Sequence, residues 1–175
     1  WGGCKEMLAR LPEFGLVGGG PMAGAMKAFE NIGTAQVAKS AAQAQDLGYL
    51  RPTDRITMNR DRLLGDAKLR VLELAEDYTP PEPHTYHLSG PSGRVALEMA
   101  LKDLATAGKA TPHDVVVVTE LAKVLTGGDD ADITVETSED DILKLERSAI
   151  STLAKDEATL DRMEHMLAKG KPLRN

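Results

Sequence analysis

Along this chain apolar residues recur far more often at helical spacing than in strict alternation, and the gaps between the runs carry helix stop and start signals. The first run, Cys4 to Leu11, reads as a helix stopped by Pro12. A second extends from Pro21 to Glu30, with proline at the first helical position where its missing N–H is harmless; Ala23, Met26, Ala28 and Phe29 can bury there. Ser40 and Gln43 stand at capping-box spacing, ahead of a slim helix of Ala41, Ala42, Ala44 and Leu47 that Gly48 ends. Pro52 keeps Arg51 extended, and Arg55-Ile56-Thr57-Met58 alternates like a strand. Asn59 then caps what reads as the longest helix of the chain. Its Leu63, Leu64, Ala67, Val71, Leu74 and Ala75 form one stripe expected to be buried, with Arg60, Arg62, Asp66, Lys68, Arg70 and Glu73 largely off it.

Beyond Tyr78 the prolines at 80, 81 and 83 make an extended spacer. Residues 93–107 follow as a helix with Val95, Leu97, Met99, Leu101 and Leu104, closed by Gly108. Thr111-Pro112-His113-Asp114 has the form of a helix start. That signal, with Leu121, Ala122, Val124 and Leu125, favours helix over strand for the β-branched run Val115 to Val118, and Gly127-Gly128 ends it. Ser138 caps another helix, whose Glu139, Asp140 and Asp141 suit its positive end and whose apolar positions are Leu143, Leu145, Ile150 and Leu153. A last helix spans about Asp156 to Lys169, with Leu160, Met163 and Leu167 expected inward and Gly170 as the stop. The sum is a mainly α chain of about eight helices with little strand.

Composition adds bounds. The 175 residues suffice for one domain with a core, and 42% apolar with 27% charged residues is ordinary globular usage. Aromatics are only 3%, so slim Ala- and Leu-rich helices must pack closely. A net charge of −6 argues against a nucleic-acid surface, since the only basic cluster is the short tail of Lys169, Lys171 and Arg174. The single cysteine, Cys4, excludes an internal disulfide and fits a reducing, cytoplasmic compartment. There is no apolar run of about 18 residues, so no membrane-spanning helix is expected, and no signal peptide is evident. The chain starts at Trp1 rather than Met, within a motif, and is expected to be a piece of something larger.

Candidate chemistry is sparse. Gly2 and Gly3 precede a helix, where free N–H groups face a polar group or an anion, or where glycine simply permits a packing turn. The glycine-rich stretch 15–24 lacks both the Gly-Lys-Ser/Thr ending of a phosphate loop and a strand before it, so it reads as a connector rather than a nucleotide site at Gly18-Gly19-Gly20. Phe29 is either core or part of an acyl pocket. His84 and His87 have no partner at metal-ligand spacing, and Asp129, Asp130 and Asp132 lack the glycine and distal glutamate of a calcium loop, so no metal site is expected. His113-Asp114 and Glu164-His165 are neighbours on helices, which do not face each other. No catalytic constellation stands out.

The pattern Ala38-Lys39-Ser40-Ala41-x-x-Ala44-x-x-Leu47-Gly48-x-Leu50, followed by Asp54 and a long helix, resembles the second half of a crotonase (enoyl-CoA hydratase/isomerase) domain. Trp1-Gly2-Gly3-Cys4-Lys5-Glu6-Met7-Leu8-Ala9-Arg10-Leu11 resembles that family's glycine pair and the helix behind it, with Trp1 and Cys4 departing from the commoner small residues. The C-terminal stretch Arg162-Met163-Glu164-His165-Met166-Leu167-Ala168-Lys169-Gly170-Lys171-Pro172-Leu173-Arg174-Asn175 is similar to the end of long bacterial 3-hydroxyacyl-CoA dehydrogenases that carry a crotonase-like segment behind their NAD-binding part. Lys27 to Gly33 and Leu125 to Gly128 fit the same subfamily.

With the proline run marking 80–92 as the candidate linker, the resemblance implies that residues 1–79 are the C-terminal half of a crotonase-like domain and 93–175 a helical C-terminal extension. It implies a parent enzyme of fatty-acid β-oxidation that oxidises 3-hydroxyacyl-CoA with NAD and that also hydrates enoyl-CoA if its crotonase-like part is active. In that family the thioester oxygen is held by backbone N–H groups. These donors and the acidic residues lie upstream of the position matched by Gly2-Gly3, so no catalytic residue is expected here. Gly2, Gly3 and Phe29 are the substrate-binding candidates. The piece itself is expected to be inactive, to hold no cofactor, and to serve pocket closure and assembly with the N-terminal remainder of its parent, with a homo-oligomer also allowed. The contrasting expectation is a free-standing helical interaction module.

Overall fold

The capping signals account for most of the helix starts. In this computed structural model, which describes residues 2–175, the Thr111 hydroxyl accepts the Asp114 N–H while the Asp114 carboxylate accepts the Thr111 N–H at 2.9 Å, a reciprocal cap that opens α6 (Pro112–Thr126). Ser138 caps α7 (Glu139–Leu153) through the Asp141 N–H, and Asp156 caps α8 (Glu157–Lys169) through the Ala158 N–H. Ser40 caps the short α3 (Ala41–Asp46) through the Gln43 N–H. The Gln43 side chain reaches back to the Lys39 N–H at 2.7 Å, one residue earlier than a strict capping box requires. Trp1, with its place in the glycine motif, lies outside the described residues.

The remaining elements are α1 (Gly3–Glu13), α2 (Pro21–Gly33), α4 (Leu63–Ala75) behind a single 3-10 turn at Arg60–Arg62, and α5 (Gly90–Thr106). Two short strands, β1 (Thr85–His87) and β2 (Glu136–Ser138), pair antiparallel with Tyr86 opposite Thr137. The chain is mainly α, with eight α-helices among the described residues.

One core holds most of these elements together. α5 and α6 pack as a hairpin, α2 lies on α6 and α5, and α1 lies against α2, α6 and α7. Leu11, Leu97, Leu125 and Ile142 are fully buried at its centre, and Ala25, Ala28 and Ala122, all at 0% exposure, let the helix backbones approach. Gly127 ends α6 at φ +93°, a left-handed conformation that favours glycine, and a Cβ there would stand 2.7 Å from the Ala131 Cβ.

Seven expectations meet corrections here. Met26 of α2 is exposed, and Asn59 caps the turn at Arg60–Arg62 rather than α4 itself. Arg55 to Met58 is not a strand; it runs as a loop along α4, tied to it by Thr57 Oγ1 donating to Asp66 at 3.1 Å and by an Arg55–Glu73 ion pair at 2.8 Å. α4 has 13 residues and is not the longest helix; α5, with 17, is. Its apolar stripe is not buried: Leu63, Leu64, Val71 and Leu74 are all exposed, Leu64 by 83%. α4 has no buried residue, and what lies against it is the turn before it and the 55–58 loop. On α8, Leu160, Met163 and Leu167 also face outward, and the buried residue is Thr159. Finally, α1 runs on to Glu13, one residue past Pro12, because the ring's lost N–H bond falls in the helix's last turn.

The stretch expected as a linker divides in two. Residues 80–85 are exposed, but Tyr86, Leu88 and Ser89 are buried, and β1 ties them to the approach of α7. Helices from both sides of it share the core just described.

Candidate functional site

The start of α1 is the most chemically furnished place in the molecule. Gly2 is buried and adopts φ +118°, outside the comfortable range of any residue with a Cβ. Having no side chain, it cannot cap α1, and no nearby residue in sequence does so. The cap comes from α7 instead. Glu146, only 1% exposed, accepts the Gly2 N–H on one carboxylate oxygen and the Lys5 N–H on the other at 2.9 Å. A negative group at a helix N-terminus is favoured by the free N–H donors and by the helix dipole together.

Around this contact lies an open groove of about 460 Å³, lined by Gly3, Cys4, Glu6, Met7, Arg10, Ile32, Tyr49 and Glu146. Cys4, Met7 and Ile32 give it an apolar floor. The Cys4 thiol is pushed up to about 12, by burial first and by the Glu146 charge second, so it is a protonated packing group and not a nucleophile. The rim is ionic. Lys5 contacts Glu139 and lies 2.8 Å from Glu6. Burial would lower the Lys5 ammonium, but these two carboxylates outweigh it and hold the group above the ordinary lysine range. Lys5 in turn keeps the Glu6 carboxyl below its usual range, with help from Arg10 at 2.9 Å. Arg10 donates to the Tyr49 carbonyl at 3.0 Å, and the Tyr49 hydroxyl donates to the Gln36 carbonyl at 2.7 Å, so the loop after α3 is pinned to the groove.

Of the predicted site residues, the structure brings Gly3 to the groove and holds Gly2 beside it through Glu146. Phe29 is buried in the core at 4% exposure and is not among the residues that line the groove. Sequence reasoning singles out neither Glu146 nor Asn31. Asn31, 1% exposed, donates to the Leu47 carbonyl at 3.0 Å and so fastens α3 to α2. The only hint in either case is a polar residue at a position where the helical period calls for an apolar one.

Two other polar clusters are braces. His113, 5% exposed, meets Thr159 Oγ1 at 2.8 Å through Nε2, with Asp156 3.7 Å from Nδ1. It lines neither the groove nor the shallow hollow between α5 and α6, and it links α6 to α8. Arg162 binds Asp114 at 2.9 Å, the Thr111 hydroxyl at 3.1 Å and Asn175, folding the C-terminal tail back on α6. The glycine-rich loop follows a helix, not a strand, and leads into Pro21 at the first position of α2; it does not have the strand–loop–helix form that holds a dinucleotide. No group of three or more His, Cys, Asp or Glu among the described residues is placed to hold a metal ion. No helix among them is long and apolar enough to cross a membrane.

The chain is similar to a probable 3-hydroxyacyl-CoA dehydrogenase of Bacillus subtilis (strain 168). The two are 37% identical over 156 residues, which is 89% of this chain but 20% of the relative. The chain thus spans about a fifth of the length of the curated relative it matches. No protein-family profile matches the chain, and no solved structure matches it.

Proposed function

We propose that this chain is the C-terminal part of a 3-hydroxyacyl-CoA dehydrogenase of fatty-acid β-oxidation. Residues 1–79 are the second half of its crotonase-like segment and 93–175 a helical extension packed on it. The parent oxidises 3-hydroxyacyl-CoA with NAD; the residues present here do not fit that cofactor, which is bound by another part of the parent. The similarity to the Bacillus subtilis relative over 89% of this chain carries the reading. The exposed α4 stripe supports it, because a helix with Leu63, Leu64, Val71 and Leu74 uncovered has the surface of a docked element.

In this reading the chain closes an acyl-CoA pocket through the groove at Gly3 and seats α4 on the remainder of its parent. It carries no catalytic residue of its own. The test is to assay the isolated chain and the full-length parent side by side, with crotonyl-CoA for hydration and with 3-hydroxybutyryl-CoA and NAD for oxidation. The parent is expected to reduce NAD and the chain to turn over neither ester. Hydration of crotonyl-CoA by the chain alone, at the rate of a complete crotonase, would overturn the proposal.

A further inference from the structure

We propose that Glu146 is the positioning residue for the Gly2–Gly3 turn, so that a substrate contact at the start of this chain depends on a carboxylate delivered from α7. The inference rests on the reading of Gly2 and Gly3 as part of an acyl-CoA pocket, and it separates their roles. Gly2 is the hinge, held by Glu146, and Gly3 is the contact.

Four observations carry it. Glu146 sits on the buried face of α7 with Ile142, Ala149 and Leu153, where packing alone selects an apolar residue. A carboxylate there is costly unless its oxygens are satisfied. The Lys5 ammonium is engaged elsewhere, by Glu6 and Glu139. Both oxygens of Glu146 instead take backbone N–H groups of one helix start, at Gly2 and Lys5. Those donors are therefore occupied by the protein's own anion and are closed to an incoming one. Gly3, exposed and lining the groove beside Glu146, has open space where a Cβ would stand, with nothing beyond its own turn of helix within 4 Å, so it is the backbone a ligand reaches.

The experiment compares full-length parent protein with its E146Q and E146A variants, numbered as here. Lys144→Ala, on the solvent face of α7, is the control. Amide hydrogen exchange at Gly2 and Lys5 and the Kd for crotonyl-CoA are read together. The glutamine variant keeps one good acceptor and the alanine variant keeps none, so the expected order is graded. Exchange at both amides rises about tenfold in E146Q and further in E146A, as loss of a charge-assisted hydrogen bond dictates. The Kd weakens in the same order, and K144A matches wild type. A purely structural role for Glu146 would lower the melting temperature and leave the Kd of the folded variants unmoved. Unchanged exchange in E146Q overturns the inference, as does faster exchange with unchanged Kd. If E146A does not fold, E146Q decides. Wild-type parent that neither binds nor turns over acyl-CoA defeats the underlying functional reading, and the inference with it; active wild-type parent with an unchanged E146Q defeats the inference alone.

Discussion

α7 and α4 are helices of similar length, 15 and 13 residues, each with an apolar stripe on one side and charges on the other. α7 turns Ile142, Ala149 and Leu153 into the core and leaves Lys144 in solvent. α4 turns its stripe toward nothing, and from residue 51 to residue 85 no side chain is buried. Helical periodicity says which face of an element is apolar; it does not say whether the covering surface belongs to the same stretch of chain. A helix's stability also comes chiefly from packing rather than from intrinsic propensity. α4 is accordingly held by local ties, the Arg55–Glu73 and Arg70–Glu73 ion pairs and the Thr57–Asp66 hydrogen bond, while α7 is held by the core.

The sharpest test of this difference is truncation in the core. Leu125, on α6 at 0% exposure, is expected to cost about 2–5 kcal/mol on replacement by alanine, because the transfer energy of the lost atoms and a cavity term add. Urea unfolding of the chain measures it. A cost below about 1 kcal/mol would mean that the core relaxes around the loss, against its tight packing by Ala25, Ala28 and Ala122.

A smaller effect is expected at Gly127, where α6 ends against its own following loop. Alanine there meets both a left-handed backbone at φ +93° and a Cβ placed 2.7 Å from Ala131 and 2.9 Å from Leu88. The strain alone is worth roughly 1–2 kcal/mol, and displacement of the loop adds to it. A thermal melt of Gly127→Ala that superimposes on wild type would show that this end of α6 is free to shift, and the contrast with α4 would narrow.

Which of these features can be read in advance divides on physical lines. Caps and stops are local, so Ser40, Thr111, Ser138, Gly48, Gly127 and Gly170 are legible and stand where their chemistry puts them. Burial is not local. Leu63 to Ala75 and Leu160 to Leu167 have the pattern of buried stripes and are exposed, while on α5 the period alone does not separate inward Leu97 and Leu101 from outward Val95 and Met99. The β1–β2 pair joins residues about fifty apart through three positions each, too short to show an alternating pattern above the background. Of the candidate site, the glycine pair is visible as a motif. Its partner Glu146 falls on the apolar face of α7 with Ile142, Ala149 and Leu153, but the helical period does not say which backbone N–H groups its carboxylate meets; that appears only once the fold brings α1 over it.

The C-terminal brace gives a pH-dependent version of the comparison. Burial would raise the Asp114 carboxyl, but the backbone and side-chain hydrogen bonds with Thr111 and the Arg162 guanidinium outweigh it and hold the group below its usual range. Its folded value is thus below its unfolded value. The stability it contributes is complete above the ordinary aspartate range and is lost as pH falls through the depressed folded value. Asp114→Asn leaves an amide oxygen to accept the Thr111 N–H but removes the charge that holds Arg162; it is expected to cost about 0.5–1.5 kcal/mol at neutral pH, and to flatten the decline in stability on acidification. On α4, Glu73 is held down by Arg55 and Arg70 but is exposed, so Glu73→Gln is expected to leave the acid limb unchanged at moderate salt. Parallel acid titrations of the two variants, followed by circular dichroism, check both. Equal effects would mean that the α4 ion pairs are shielded from solvent and that α4 is covered after all.

The smallest expected effect is the most informative about α4. Val71→Ser and Leu74→Ser each remove an apolar group that is already more than half exposed, 64% and 53%. In the isolated chain both are expected to change stability by no more than about 0.5 kcal/mol, the ordinary range for surface substitutions. In the full-length parent the same two substitutions fall in the proposed contact between α4 and the remainder of the protein. There the loss should approach that of a buried aliphatic side chain, about 1.5–3 kcal/mol for each. Unfolding both forms in urea under one set of conditions gives the difference directly. A cost confined to the parent locates the missing cover of α4 in the rest of that chain. The same small cost in both forms would mean that α4 stays uncovered in the parent, and its apolar stripe would then have to be met by a separate partner.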